Sequence, residues 1–258
     1  MSLPPGAVRV PLPMGGAAVL AEEVPLALVF DGVTQAVMMA TPCDLEDFLI
    51  GFALTEGLIG TPGEILRHEV VRQDNGIELR GWLAGPAAAR FKARRRVMAG
   101  PVGCGLCGIE SLAEALRPLP QAPQGAGASA PQSLTAVADT ALAALRAAQP
   151  LQDAVRAAHA VGFWANGALI CAREDVGRHN ALDKLAGGLA RAGHNPGAGA
   201  LVLTSRLSVD LVQKAAMIGA RALIAPSAPT ALAVAQAQSA GLALVARGPD
   251  GPTLFTPS

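Results

Sequence analysis

Two cysteines three positions apart, in PVGCGLCGIE at residues 101–110, carry the most direct chemical signal in this chain. Cys104 and Cys107 could close a disulfide, hold half of a metal site, or present a reactive sulfur. Glycines 103, 105 and 108 remove side-chain bulk, so a large partner can approach either thiol. The following GIESLAEAL reads as a short helix. Cys107 then lies near a helix N-terminus, where partial positive charge favours the thiolate. Lys92, Arg94, Arg95 and Arg96 upstream act in the same direction. A structural zinc site takes about four ligands, and no second Cys pair follows. Cys43, Cys171 or a histidine would have to complete it, and Cys43 and Cys171 read as ordinary small core residues. A thioredoxin-like site sits between a strand and the helix of a βαβ unit, whereas the approach here is basic and glycine-rich. Metal, disulfide exchange and reactive sulfur all stay open on these residues alone.

A second constellation is REDVGRHNALDK, residues 173–184, in a chain only 16% charged. It holds Arg173, Glu174, Asp175, Gly177, Arg178, His179, Asn180, Asp183 and Lys184 at a strand-to-helix junction. Gly177 permits a turn, and Asn180 or His179 can begin the helix. A well-capped, solvated helix start would account for Asp175 and Lys184 but not for the whole cluster. Two further strand ends enter helices through polar loops. LTSRLS presents Ser205 and Arg206 with free backbone N–H groups, a plausible anion cradle; APSAPT presents Ser227 and Thr230. Ser205, Ser227 and Thr230 also suit simple helix caps. Of the three lysines, Lys184 and Lys214 fall in this region, as though an ammonium were wanted there.

These loops need a scaffold. The C-terminal part predicts the order α-β-β-α-β-α-β-α-β-β, with a hairpin at Asn166-Gly167. Strands alternating with helices imply a mainly parallel sheet with helices on both faces and an antiparallel edge from the hairpin. Ligands of such sheets collect at the carboxyl ends of the strands, where all three loops fall. The N-terminal part predicts hairpins at Asp31-Gly32 and Asn75-Gly76. Between them lies a helix from about Leu45, with Asp44, Glu46 and Asp47 in its first turn and Gly57 and Gly60 ending it. PLPQAPQGAGASAPQS, residues 118–133, has no charge and reads as a mobile linker. The chain thus divides into residues 1–117, a linker at 118–133, and residues 134–258.

Composition excludes several classes. Formal net charge is zero, which argues against a general nucleic-acid footprint. No stretch reaches the ~18–20 apolar residues of a membrane span, and the N-terminus lacks the pattern of a signal peptide. The expected location is the cytosol, where a CxxC points to metal or redox chemistry rather than a staple. There is no Walker loop. HAVGF at 159–163 has Val161 where a zinc deaminase needs its glutamate, and the CxxC precedes it instead of following.

Taken together, CGLCG, HAVGF, DVGRHNALDK, LTSRLSVDLVQKAAMIGA and APSAPTALAVAQAQSAGLALVARG resemble the FdhD family over most of the chain. The resemblance implies a sulfur carrier that takes persulfide sulfur from a cysteine desulfurase on its CxxC. It implies delivery to the molybdenum bis(molybdopterin guanine dinucleotide) cofactor, which the carrier binds, and so activation of formate dehydrogenase. It further implies a homodimer and a C-terminal three-layer α/β domain of cytidine-deaminase-like topology. Cys104 becomes the expected persulfide carrier, with Cys107 assisting. The family's cofactor-binding stretch falls at Ala246, Arg247, Gly248, Pro249, Asp250 and Gly251. Arg178 and Arg206 suit its pyrophosphates. A cofactor chaperone without sulfur transfer, or a CxxC oxidoreductase, are the competing classes.

Overall fold

The computed structural model describes residues 2–98, 118–123 and 131–256. Cys104 and Cys107 lie outside the described residues. The N-terminal part begins with an antiparallel hairpin that the sequence reading did not anticipate, β1 (Ala7–Pro11) and β2 (Ala17–Ala21). A four-stranded sheet follows in the order β4-β3-β6-β5, with β3 (Val24–Phe30), β4 (Val33–Ala40), β5 (Ile65–Gln73) and β6 (Gly76–Leu83). Both expected hairpins are present, the second turning at Asp74-Asn75 instead of Asn75-Gly76. Asp31 and Gly32 turn the first with φ of 49° and 78°, as a two-residue hairpin loop requires. Alternate residues Leu26, Leu28 and Phe30, with Ile77, Leu79 and Leu83, point to one face. That face buries Phe48, Leu49 and Phe52 of α1 (Leu45–Thr55) and Phe91 of α2 (Gly85–Met98). Helix α2 carries Lys92, in a stretch that reads in sequence only as a basic, glycine-rich approach.

The C-terminal part is built on a six-stranded sheet in the order β12-β11-β10-β9-β7-β8. Its strands are β7 (His159–Ala165), β8 (Ala168–Asp175), β9 (Ala200–Leu203), β10 (Ala222–Ala225), β11 (Ala243–Gly248) and β12 (Gly251–Leu254). Helix α3 (Pro131–Ala147) covers one face through Leu134, Ala138, Ala141 and Leu145. Helices α5 (Arg178–Arg191), α6 (Val209–Met217) and α7 (Ala231–Ala240) cover the other. A short helix α4 (Pro150–Val155) precedes β7. The expectation of a mainly parallel sheet is corrected. Only β9–β10 and β10–β11 pair in parallel, while β7–β8, β7–β9 and β11–β12 are antiparallel. The reason is that β7 inserts between β8 and β9, so the hairpin supplies an interior strand as well as an edge.

The linker expectation is corrected over its first residues. Leu119 packs on the larger core and Ala122 is buried. The Ala122 N–H donates to the Ala240 carbonyl at 2.7 Å, and Gln121 Nε2 to the Ser239 carbonyl. An uncharged Pro/Ala-rich segment lacks a helical or strand period, but small side chains still fit a groove beside α7.

The two parts meet where α1 crosses α5. A Cβ on Gly51 would overlap the Asp183 carbonyl oxygen, and one on Gly187 the Asp47 carbonyl oxygen. The helices therefore touch backbone to backbone, which glycine alone permits at these points. Gly187→Ala is expected to cost at least the ~1–3 kcal/mol of overpacking, read from the midpoint of urea unfolding. An unchanged midpoint would mean the helices do not meet this closely.

Candidate functional site

The charged cluster at the β8–α5 junction first does structural work. Asp175 and Lys184 are fully buried and paired at 2.6 Å. Asp175 also accepts from the N–H groups of Thr41 (3.0 Å) and Gly177 (2.7 Å) and from Asn180 Nδ2 (2.9 Å). Lys184 Nζ donates to the Thr41 carbonyl at 2.8 Å and lies 3.7 Å from Cys43 Sγ. Asn180 Nδ2 donates to the Met39 carbonyl, and the Val176 N–H to Thr41 Oγ1. These bonds fasten the end of β4 to the β8–α5 turn.

One turn further along α5, Asp183 accepts from Thr55 Oγ1 (2.6 Å) and from Lys214 Nζ (2.9 Å). Lys214 also reaches Glu56 at 2.9 Å. Burial alone would lower the Lys214 pKa, but the Asp183 and Glu56 carboxylates outweigh it and hold the ammonium above its usual value. A third clamp closes the start of α1. Asp47, nearly buried, is gripped by Arg173 (2.7 Å) and Arg191 (2.7 Å). The acids of that first turn thus answer guanidinium groups on β8 and α5 more than the helix dipole. Both buried ammonium groups are where the lysine pattern placed them, though they serve carboxylates of the chain itself.

Past this clamp the carboxyl ends of β8, β9, β10 and β11 share one sheet edge with the start of β7. His159 pairs with Asp175 across β7–β8, and Thr204 Oγ1 lies 3.4 Å from His159 Nδ1. Arg206 and Ser227 bridge the loops after β9 and β10, and the Thr230 N–H donates to the Leu207 carbonyl. The sequence-predicted residues therefore fall on one edge but differ in availability. Arg206, Ser227, Thr230, Arg247, Pro249 and Asp250 are exposed. Gly177, Arg178, His179, Gly248 and Gly251 are half-buried. Asp175, Asn180, Lys184, Ser205 and Ala246 are buried. Thr230 accepts the Ala233 N–H as an ordinary helix cap, and Ser205 Oγ donates to the Arg206 carbonyl. Residues 246–251 form the β11–β12 turn at the same edge.

Helix α5 begins at Arg178 with Gly177 as its cap residue, not at Asn180 or His179. Cys43 and Cys171 are free thiols, half-buried instead of core-buried, and burial raises both pKa values. The sequence reading missed Thr41, whose backbone and hydroxyl serve the clamp, because an isolated threonine at a strand end carries no pattern. It also missed Ser208, although a serine before VDLVQ has the form of a helix cap. A half-open hollow of about 740 Å³ lies elsewhere, between Leu54, Ile59, Arg90, Ala190, His194 and Met217. None of the sequence-predicted residues lines it, so depth alone does not mark the strand-end edge. Among the described residues no group of three or more His, Cys, Asp or Glu could hold a metal ion, and no helix is long and apolar enough to cross a membrane.

Burial, reinforced by the Arg178 guanidinium, pushes His179 down to about 4. Asp210 opposes this, while Lys214 and His159 add to it. The folded pKa lies below the unfolded value, so the unfolded chain binds the extra proton. The neutral ring's contribution is complete above pH ~6.5 and is lost as pH falls toward ~4, amounting to at most about 3 kcal/mol. His179→Gln is expected to flatten stability against pH in that window. Parallel curves for variant and wild type in urea titrations at pH ~7 and ~4.5 would reject the assignment.

Comparison with known proteins adds an independent line. The model of the FdhD/NarQ family matches residues 21–254. A sulfur carrier protein FdhD from Agrobacterium fabrum is 47% identical over 95% of this chain and 90% of its own length. One from Brucella abortus biovar 1 is 49% identical over 88% of this chain and 84% of its own. In three dimensions the chain is similar to a Desulfotalea psychrophila crystal structure provisionally described as a formate dehydrogenase accessory protein. The TM-score is 0.68 at 27% identity, covering 97% of this chain and 95% of that one.

Proposed function

The chain belongs to the FdhD/NarQ family, and from that premise we propose that it is a sulfur carrier accessory to formate dehydrogenase. The observation that carries this reading is near-full-length similarity to sulfur carrier proteins. In the finer reading, the Cys104 thiolate attacks the outer sulfur of a cysteine desulfurase persulfide. The S–S bond of the donor breaks, the desulfurase thiolate leaves, and Cys104 holds the persulfide, with Cys107 assisting. The client is the molybdenum bis(molybdopterin guanine dinucleotide) that the carrier binds and sulfurates before it enters formate dehydrogenase.

The strand-end edge has the chemistry to hold such a client. Its pyrophosphates need donors, and Arg178 Nε and Ser208 Oγ are buried atoms without a hydrogen-bond partner among the described residues. Arg206, two residues before Ser208, is exposed, with a guanidinium geometry that takes phosphate in two bonds. Asp175, Lys184 and Asn180 then act by holding the β8–α5 turn that presents Arg178 and His179, while the β11–β12 turn bounds the far side. The test is incubation with a cysteine desulfurase and cysteine, followed by mass spectrometry of the intact carrier. A mass gain of about 32 Da, one sulfur atom, is expected, and it should disappear when sulfur-free client cofactor is added. No gain in the wild type would sink the sulfur-carrier reading.

A further inference from the structure

We infer that the half-open hollow beside α2 receives a protruding apolar side chain of the protein that donates the sulfur, and that an acidic surface around this side chain lies along α2. The inference rests on the sulfur-carrier reading and adds the place where the donor docks. The hollow measures about 740 Å³. Leu54 and Ile59 line it from the end of α1 and the loop after it, Ala186 and Ala190 from the second half of α5, and Met217 and Ile218 from the end of α6. Ala190 lies about 18 Å along α5 from Arg178, so the hollow is remote from the edge proposed for the client. Hydrocarbon walls open to solvent on one side favour an apolar occupant.

The rim is positive. Arg90 of α2 borders the hollow and donates through Nη2 to both Glu64 carboxylate oxygens, at 2.7 and 2.9 Å. Glu64 also accepts the Gly60 N–H at 2.6 Å. It is the only acid of the lining among the described residues, and it is spent on the chain's own cation. Helix α2, GPAAARFKARRRVM, holds Arg90, Lys92, Arg94, Arg95 and Arg96 and no acid, in a chain whose formal net charge is zero. Like charge concentrated on one helix steers an acidic surface toward it.

Both tethers of the two cysteines are at this hollow. The described chain stops at Met98, the end of α2, and resumes at Pro118. Pro123 lies 3.4 Å from where a Cβ on Gly197 would stand and 3.7 Å from one on Gly219; these glycines adjoin Pro196 and Ile218 of the lining. Cys104 is six residues past Met98, a span of at most about 20 Å. A donor protein seated in the hollow and along α2 therefore brings its sulfur within reach of that thiol.

The experiment measures one-sulfur loading of the full chain from two donors, a cysteine desulfurase with cysteine and glutathione persulfide, in wild type, Ala190→Trp and Thr61→Trp. Ala190 is half-buried in the wall, and Thr61 is exposed at the mouth with no side-chain cap bond, so the two indoles narrow the hollow from different sides. Loading at low desulfurase concentration should fall about tenfold or more in each variant, as for the loss of one buried anchor. The rate at saturating desulfurase should not change. Loading by glutathione persulfide, which needs no docking surface, should match wild type, as should Tm. Salt should slow loading of the wild type by the desulfurase. Unchanged desulfurase loading in both variants, or equal losses with both donors, overturns the docking site. So does a salt-independent rate, or a change of oligomeric state in sedimentation, which would put a second copy in the hollow. If wild type loads from neither donor, the sulfur-carrier reading itself fails, and the docking site fails with it.

Discussion

Cys104→Ala is expected to leave the protein folded and unable to carry sulfur. Alanine offers no nucleophile, so no persulfide forms and the added sulfur mass disappears. Formate dehydrogenase matured with this variant should fall to the activity seen without any accessory protein. Folding should be unaffected, because the change removes one sulfur atom and adds neither bulk nor charge. The variant's Tm should therefore match wild type, which separates loss of transfer from loss of structure. Cys107→Ala should retain part of the adduct, in keeping with an assisting thiol. A Cys104→Ala protein that still gains one sulfur and still activates the enzyme would move the carrier function elsewhere.

The second large effect is on stability. Asp175→Ala removes the acceptor of four donors at once: Lys184 Nζ, Asn180 Nδ2 and the N–H groups of Thr41 and Gly177. The Lys184 ammonium is left at 0% exposure with, among the described residues, only the Thr41 carbonyl as a close oxygen partner. Stranding one member of a buried pair costs about 3–5 kcal/mol, a large share of the ~5–15 kcal/mol that holds a typical protein together. Urea unfolding should show it as a lower midpoint with little change in slope. Adding Lys184→Met removes the stranded charge, so the double variant should recover part of the loss. Recovery should be incomplete, since the Thr41 and Gly177 N–H groups remain without their acceptor. A loss under about 1 kcal/mol in the single variant, the range of exposed pairs, would mean the pair is not buried as described.

These two residues show how differently information is stored along the chain. Cys104 is proposed from ten consecutive letters, a thiol with flanking glycines and a following helix-forming run, together with the family resemblance that singles it out. The strand-end loops were legible too, since the alternation of apolar strands and amphipathic helices requires successive crossovers to return to one edge. The hairpins at Asp31-Gly32 and Asn166-Gly167 followed from turn geometry. Asp175 and Lys184 stood out by charge density, but their role did not. Only tertiary contact with Thr41, 134 positions away from Asp175, shows them consumed by a clamp. The β1–β2 hairpin and helix α2 were missed because neither carries a clean apolar period.

By itself the sequence determined the family, the position of the strand-end loops and the type of most elements, because each depends on neighbours within a few residues. The tertiary structure decided what those loops hold free. Insertion of β7 between β8 and β9 made the sheet mixed, and the bare contacts at Gly51 and Gly187 brought α1 onto α5. That crossing buried Asp175, Asp183, Lys184 and Lys214 in pairs. It left Arg178, His179 and Ser208 with buried atoms that have no hydrogen-bond partner among the described residues. Which polar group is spent and which is spare depends on distances between segments more than a hundred residues apart, and no local spacing encodes them.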